Sequence, residues 1–212
     1  MDIGFAIKVF TALFAIMNPI ANIPVFLSLT SGASDAARRR IALTATLGVT
    51  VGCIISAVAG QAILHVFGLG IDDFRLAGGL LILLIALSMV HGSPSSQHAS
   101  TPAENGDLAD RNAEDMAVYP LTIPLLVGPG TITSMIILGH EAAVSGQAIA
   151  FGIGLGAFLL LLSAGLFAAP LIGHYLSAKA TAITQRLMGM ILAAIAMQMM
   201  LASLQHVFMS RS

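Results

Sequence analysis

The stretches NPIANIP (18–24) and PLLVGP (124–129) lie in opposite halves of the chain, and in each of them two prolines stand five residues apart. Both belong to uncharged regions long enough to cross a membrane. A proline has no N–H to donate, and its ring clashes with the carbonyl four residues earlier, so each pair predicts a broken membrane helix. Broken helices at matching places in two halves indicate a transport site.

The residue composition is typical of a membrane protein. Of 212 residues, 57% are hydrophobic and only 9% are charged, whereas soluble domains carry about 25% charged residues. Such a chain has too little polar surface to stay dispersed in water. The net charge of −1 argues against a nucleic-acid partner, and the single cysteine, Cys53, excludes an intrachain disulfide.

Charge-free windows predict an all-α polytopic membrane protein with six transmembrane helices, of which the first and fourth are broken. Each window exceeds the roughly 20 residues that a helix needs to cross about 30 Å of hydrocarbon. The windows place the helices near residues 6–30, 42–66, 74–91, 117–140, 147–170 and 186–207.

Residues 92–116 form a long polar stretch that is rich in Ser, Pro, Ala and acids. Such a composition cannot bury apolar surface and favours a flexible acidic linker on the cytoplasmic side. The expected organisation is a first three-helix unit at 1–91, the linker at 92–116, and a second three-helix unit at 117–212. A regulatory or partner-binding role for the linker stays open.

The two units match beyond the prolines. A shift of 105 residues places Pro19 on Pro124 and Pro24 on Pro129. Further matches in the same order join GVTVG (48–52) to GIGLG (152–156) and RLAG (75–78) to RLMG (186–189). Because each unit has an odd number of spans, the second would enter the membrane from the opposite side. This predicts a 3+3 inverted repeat, an architecture associated with alternating access. The glycine pairs in the first match have the spacing that lets helices pack closely.

The distribution of Lys and Arg predicts the orientation. With six spans, one side holds Arg38, Arg39, Arg40, Arg111, Lys179 and Arg186, and the other holds Lys8, Arg75 and Arg211. Cytoplasmic loops carry the excess of basic residues. Both termini are therefore expected outside the cytoplasm.

The candidate site follows from the two breaks. Amides, glycines and hydroxyls beside them could bind a ligand, restarted half-helices would direct positive dipole ends at a carboxylate, and freed carbonyls could accept an ammonium or cation. A plain kink is the alternative for any lone proline. The candidate substrate-binding residues are Asn18, Pro19, Asn22, Pro24, Ser28, Pro124, Gly128, Pro129, Gly130, Thr131 and Thr133.

Several kinds of chemistry lack candidate residues in this sequence. No Asp, Glu, Lys or Arg falls well inside a predicted span, so any coupling ion must use neutral groups or span-end residues such as Asp72, Asp73 and Arg75. The sequence has no zinc-protease, nucleophile-elbow or Walker motif. We therefore expect no enzymatic activity, no cofactor and no metal. The choice of a proton or sodium as coupling ion, and a homo-oligomeric state, stay open.

Three segments in order resemble the MarC family of bacterial inner-membrane proteins: NPIANIPVFLSLT (18–30), FGLGIDDFRLAGGLLILLIAL (67–87) and YPLTIPLLVGPGTIT (119–133). The resemblance covers nearly the whole chain and is weakest at 92–116. It implies six helices in the cytoplasmic (inner) membrane with both termini periplasmic. Related archaeal members look like carriers of small neutral amino acids such as glycine and alanine, and the wider grouping resembles LysE-type exporters.

The leading hypothesis is a secondary transporter of small neutral amino acids or similar metabolites, working in the lipid bilayer by alternating access. One alternative is a non-transporting scaffold or sensor that acts through its acidic linker. Deletion of residues 94–112 would discriminate, because a carrier should tolerate it. A multidrug exporter is disfavoured, since the chain has no Trp and only 6% aromatic residues.

Overall fold

The computed structural model describes residues 2–92, 122 and 126–209. Over these residues the chain forms seven α-helices, a short 3-10 turn at Gly173–Tyr175 and no strand. The helices are α1 (Ile3–Met17), α2 (Pro19–Leu29), α3 (Asp35–Val66), α4 (Ile71–His91), α5 (Pro129–Val144), α6 (Ala148–Ile172) and α7 (Ala178–Met209).

Within the described residues, four helices are long and apolar enough to cross a membrane: α3, α4, α6 and α7. Helices α1 and α2 meet at an angle of 42° and together count as a fifth, broken span. Helix α5 has 16 residues, which is shorter than the roughly 20 that a span needs. The structure therefore gives four or five spans by length and composition, where the sequence predicts six. The predicted fourth span, 117–140, lies partly outside the described residues.

Two helices begin well before their predicted starts. Helix α3 begins at Asp35 rather than at 42, because the Ser34 hydroxyl caps it by accepting the Ala37 N–H at 3.2 Å. Helix α7 begins at Ala178 rather than at 186. Counting from charge-free windows finds only the apolar part of a helix, whereas a capped helix continues through the arginines beyond it.

The helices pack in pairs that each join the two halves of the chain. The α1–α2 pair lies mainly on α6, α3 lies on α5, and α4 lies on α7. One buried core fills the space among α1, α2, α3, α5 and α6, and a second lies among α1, α4 and α7. The ends of α1 and α5 that carry charges therefore meet at one end of the bundle.

The close approach of α3 to the second half depends on glycine. A Cβ built on Gly48 would lie 2.8 Å from the Thr122 side chain, and one on Gly52 would lie 2.9 Å from Val127. Because these glycines have no side chain, the second proline segment can pack closely against α3. The matching pair in α6, Gly152 and Gly156, faces open space within the described structure, so the expected close packing there is wrong.

Candidate functional site

The first membrane helix breaks at Asn18. This residue has φ +37° and ψ +68°, in the left-handed region that Asn tolerates better than other residues with a Cβ. Its N–H donates to the Phe14 carbonyl at 3.0 Å and ends α1, and its Oδ1 accepts the Ala21 N–H at 3.4 Å and caps α2. Pro19 then takes the first position of α2, where a missing N–H has little cost. Asn18 is therefore both the end of one helix and the start of the next.

A second amide ties the broken ends together. Asn22 is fully buried, and its Nδ2 donates to the carbonyl of Met17, the last residue of α1, at 2.5 Å. Its Oδ1, like Nδ2 of Asn18, is buried without a hydrogen-bond partner among the described residues. Such orphaned buried polar atoms are uncommon and call for an explanation. The break thus offers one unused donor and one unused acceptor.

The two proline motifs restart their helices at different prolines. Helix α2 begins at Pro19 and runs through Pro24 without ending. Helix α5 begins at Pro129, with Gly128 in the capping position. Among the described residues, the first motif starts a helix at its first proline, and the second motif starts one at its last; Pro124 lies outside the described residues. The shift of 105 residues that aligns the prolines does not align these two helix starts.

The chain satisfies some of its own polar groups at the second restart. The Val127 N–H donates to the Thr122 carbonyl at 2.8 Å, and the Thr131 hydroxyl donates to the Leu126 carbonyl at 2.9 Å. Thr131 therefore uses its proton within the chain and keeps only its lone pairs for a ligand.

The two breaks lie next to each other through an apolar contact. A Cβ built on Gly130 would lie 3.5 Å from the side chains of Ile16, Ile82 and Ile85. Ile16 stands two residues before the Asn18 break. The start of α5 therefore packs directly against the end of α1, as expected if both segments border one site.

The candidate residues from the sequence differ in their burial. Pro24 is half-buried, while Ser28 and Pro129 are exposed. Pro124 lies outside the described residues. The remaining seven are buried: Asn18, Pro19, Asn22, Gly128, Gly130, Thr131 and Thr133. The structure carries no ligand, so their role as substrate ligands stays a prediction.

A polar cavity of about 440 Å³ opens among α1, α4, α5 and α7 at the end of the bundle where α1 begins. We call it the polar cavity. Its volume lies in the range of small-molecule sites, about 300 to 1,000 Å³. None of the eleven predicted site residues lines it. Its polar lining consists of Lys8, Thr11, Arg75, Ser134, Glu141 and Gln198.

Charged side chains gather at the mouth of the polar cavity. Lys8 of α1 pairs with Glu141 of α5, with 2.6 and 2.8 Å between Nζ and the two carboxylate oxygens. Arg75 of α4 pairs with Asp72 at 3.2 Å. His206 of α7 lies 2.9 Å from the same Asp72 carboxylate. The mouth therefore holds two ion pairs from α1, α4 and α5, and α7 adds the imidazole of His206.

Ser134 lines the cavity on the side of the breaks. Hydroxyls in membrane helices usually donate to a carbonyl of their own helix, as Thr46, Thr50 and Ser56 do here at 2.7 to 2.8 Å. The Ser134 hydroxyl is buried and has no partner among the described residues. It lies one helical turn after Gly130, so it connects the cavity to the segment beside the first break.

Sequence reasoning missed most of this cavity. It used Arg75 as a span-end residue, in the repeat match and in the orientation count, and it used Lys8 only for the orientation; it assigned neither to a cavity. The available signal was that Lys8, Arg75 and Glu141 all lie at the edges of charge-free windows. Their convergence could not be read from the sequence, because it depends on how α1, α4 and α5 pack across the two halves. Within the described residues, no cluster of His, Cys, Asp or Glu could hold a metal ion.

These features define a class: an integral membrane protein with several apolar helices, one of them broken, around a polar cavity. A family model described as MarC family integral membrane protein matches residues 3–208, and the chain belongs to this family.

Similar proteins occur in bacteria and archaea. The chain is 36% identical to the membrane protein YhcE of Escherichia coli over 98% of this chain and 95% of YhcE. It is 33% identical to the membrane protein YvbG of Bacillus subtilis over 98% of both chains. A membrane protein of Methanocaldococcus jannaschii is 34% identical over 94% of this chain and 95% of its own length. No solved structure matches the chain.

Proposed function

We propose that the protein is a secondary transporter that carries small neutral amino acids such as glycine or alanine, or similar small metabolites, across the cytoplasmic membrane by alternating access. The observation that carries this proposal is the helix pairing. The α1–α2 pair packs on α6, and α3 packs on α5. When the first half is superposed on the second, α1–α2 corresponds to α5, α3 to α6 and α4 to α7. The packing of α1–α2 on α6 then corresponds to the packing of α5 on α3, and the packing of α4 on α7 corresponds to itself.

This pairing is compatible with a 3+3 inverted repeat, in which α5 together with residues before it would be the fourth of six spans. The polar cavity supports the interpretation as a repeat, because its four helices form two corresponding pairs. Helix α1 corresponds to α5, and α4 corresponds to α7. The axis of an inverted repeat lies in the plane of the membrane, so the repeat operation would carry this cavity to the opposite end of the bundle. A carrier needs such a cavity at one end and then at the other.

Neutral unpartnered groups favour an uncharged or zwitterionic substrate. One of them, the Ser134 hydroxyl, lines the cavity, and two others, Asn18 Nδ2 and Asn22 Oδ1, lie beside the first break and outside the cavity lining. A molecule with net charge would lose its hydration beside these groups without meeting an opposite charge. The predicted topology puts Lys8 and Arg75 on its less basic side, and in that topology the open end would face away from the cytoplasm.

The test is transport by purified protein in vesicles. Vesicles containing the protein, and vesicles without it, are challenged with labelled glycine and alanine and then with a broader panel of small zwitterions. The expected result is saturable uptake or exchange above the protein-free vesicles. Absence of transport for the entire panel, with protein correctly inserted, would refute the proposal.

The site assignment has its own test. Asn22→Ala removes the amide that ties α1 to α2 and the unused acceptor, so transport should be lost while membrane insertion is kept. Ser31→Ala, an exposed change just after α2, is the matched control and should transport normally. Unchanged flux in Asn22→Ala would show that the substrate does not use the first break.

A further inference from the structure

The contact between Lys8 and Glu141 at the mouth of the polar cavity joins the two halves of the chain. Lys8 stands near the start of α1, and Glu141 stands near the end of α5. Their side chains remain 51% and 36% exposed, so water reaches both. An ion pair this exposed adds little to stability. Its position therefore needs a reason other than holding the fold together.

The surroundings of this ion pair provide unused hydrogen-bonding capacity. Thr11 donates its hydroxyl proton to carbonyls of its own helix and keeps its lone pairs free. Gln198 lines the same cavity, and within the described part of the chain its side chain forms no hydrogen bond. Arg75 forms one bond to Asp72, which leaves further N–H donors on its guanidinium. Donors and acceptors thus surround a cation and an anion that currently satisfy each other.

We propose that the polar cavity takes up a zwitterion by exchange of this ion pair. The carboxylate of the ligand binds Lys8, with Arg75 beside it, and the ammonium of the ligand binds Glu141. The ligand brings one charge of each sign, so both protein charges stay matched while the direct Lys8–Glu141 contact opens. This inference rests on the proposed transport function and assigns its outer binding subsite.

The exchange discriminates ligands by their charge. A ligand with only a carboxylate would compete for Lys8 and leave Glu141 without a cation. A ligand with only an ammonium would leave Lys8 without an anion. Loss of a matched charge disfavours binding. Because water reaches both side chains, the subsite should bind both kinds of ligand more weakly than a zwitterion rather than exclude them. It selects for the pair of charges rather than for the side chain of the amino acid.

The binding experiment uses labelled alanine on the full-length purified protein, with alaninamide as a cationic competitor and N-acetylalanine as an anionic one. In the wild type, unlabelled alanine should compete better than either analogue. Glu141→Gln should weaken alanine binding about five- to tenfold, as expected for the loss of an ordinary hydrogen bond at a site that water reaches, and should improve competition by N-acetylalanine. Lys8→Gln should weaken alanine binding similarly and improve competition by alaninamide.

Matched controls are Asp35→Asn and Lys179→Gln, which change exposed charges away from the polar cavity and should bind like the wild type. Opposite changes in competitor preference support the subsite, because a merely structural role would not produce them. Unchanged binding in both cavity variants, or weaker binding with the wild-type preference, would overturn it while leaving the transport function intact. A wild type that neither binds nor transports any zwitterion would overturn the transport function itself.

Discussion

Asn18 gives the sharpest prediction about stability, because its backbone and its side chain can be tested separately. Asn18→Ala keeps a Cβ at φ +37° but loses the side chain that bonds locally. The left-handed conformation costs a residue with a Cβ about 1 to 2 kcal/mol, and loss of a helix cap costs about 0.5 to 2 kcal/mol. The 3.4 Å length of the capping bond places its share at the low end. We therefore expect Asn18→Ala to lower the free energy of unfolding by about 2 kcal/mol.

Asn18→Gly removes the same amide but accepts the left-handed conformation freely. Glycine at a capping position costs only a few tenths of a kcal/mol relative to Asn. This variant should therefore stay within about 1 kcal/mol of the wild type. Both variants lose the buried, unpartnered Nδ2 atom. The effect of this loss on the free energy of unfolding therefore cancels when the two variants are compared.

The assay is equilibrium unfolding from mild detergent into dodecyl sulfate, followed by far-UV circular dichroism, since the chain contains no Trp to report by fluorescence. The ordering is decisive: wild type above or near Asn18→Gly, and both clearly above Asn18→Ala. If Asn18→Ala equals the wild type, or if Gly is as damaging as Ala, the left-handed break does not govern stability at this position.

Other predictions concern packing and access. Gly78→Ala places a Cβ against Thr133 and should destabilise by about 1 to 3 kcal/mol, and Thr133→Ser in the same chain should recover part of this in thermal unfolding. Cys53 is fully buried, so a membrane-permeant maleimide should label it only after denaturation. With Cys53→Ala, Lys8→Cys and Glu141→Cys combined, a short thiol-reactive cross-linker with a cleavable disulfide should join α1 to α5 and stop transport, and a reductant should restore it. Full transport by the cross-linked protein would exclude opening at that end.

The sequence predicts the helices well where the pattern is local. Charge-free windows find α4 and α6 within a few residues, because these helices begin and end near charged or turn residues. They miss the first turns of α3 and α7, since a helix that leaves the hydrocarbon continues as long as its backbone is capped. Within the described residues, the expected break in the first apolar segment is present, and it lies at Asn18.

The candidate site is harder to predict, because it depends on contacts between distant residues. The proline spacing correctly marks two neighbouring segments, which meet where Gly130 lies against Ile16. It does not reveal that Pro24 is accommodated inside a helix. The polar cavity is invisible at this level, since Lys8 and Glu141 are 133 positions apart. Only the packing of α1 beside α5 brings them together.

The pairing of helices across the two halves also affects how the protein is made. The helices of the first half have few contacts with one another and pack mainly on helices synthesised later. The packing surfaces of the first half therefore stay in contact with lipid until the second half has been inserted. Assembly thus depends on the last part of the chain to leave the ribosome. The two halves expressed as separate polypeptides should each be short-lived alone and should stabilise each other when made together.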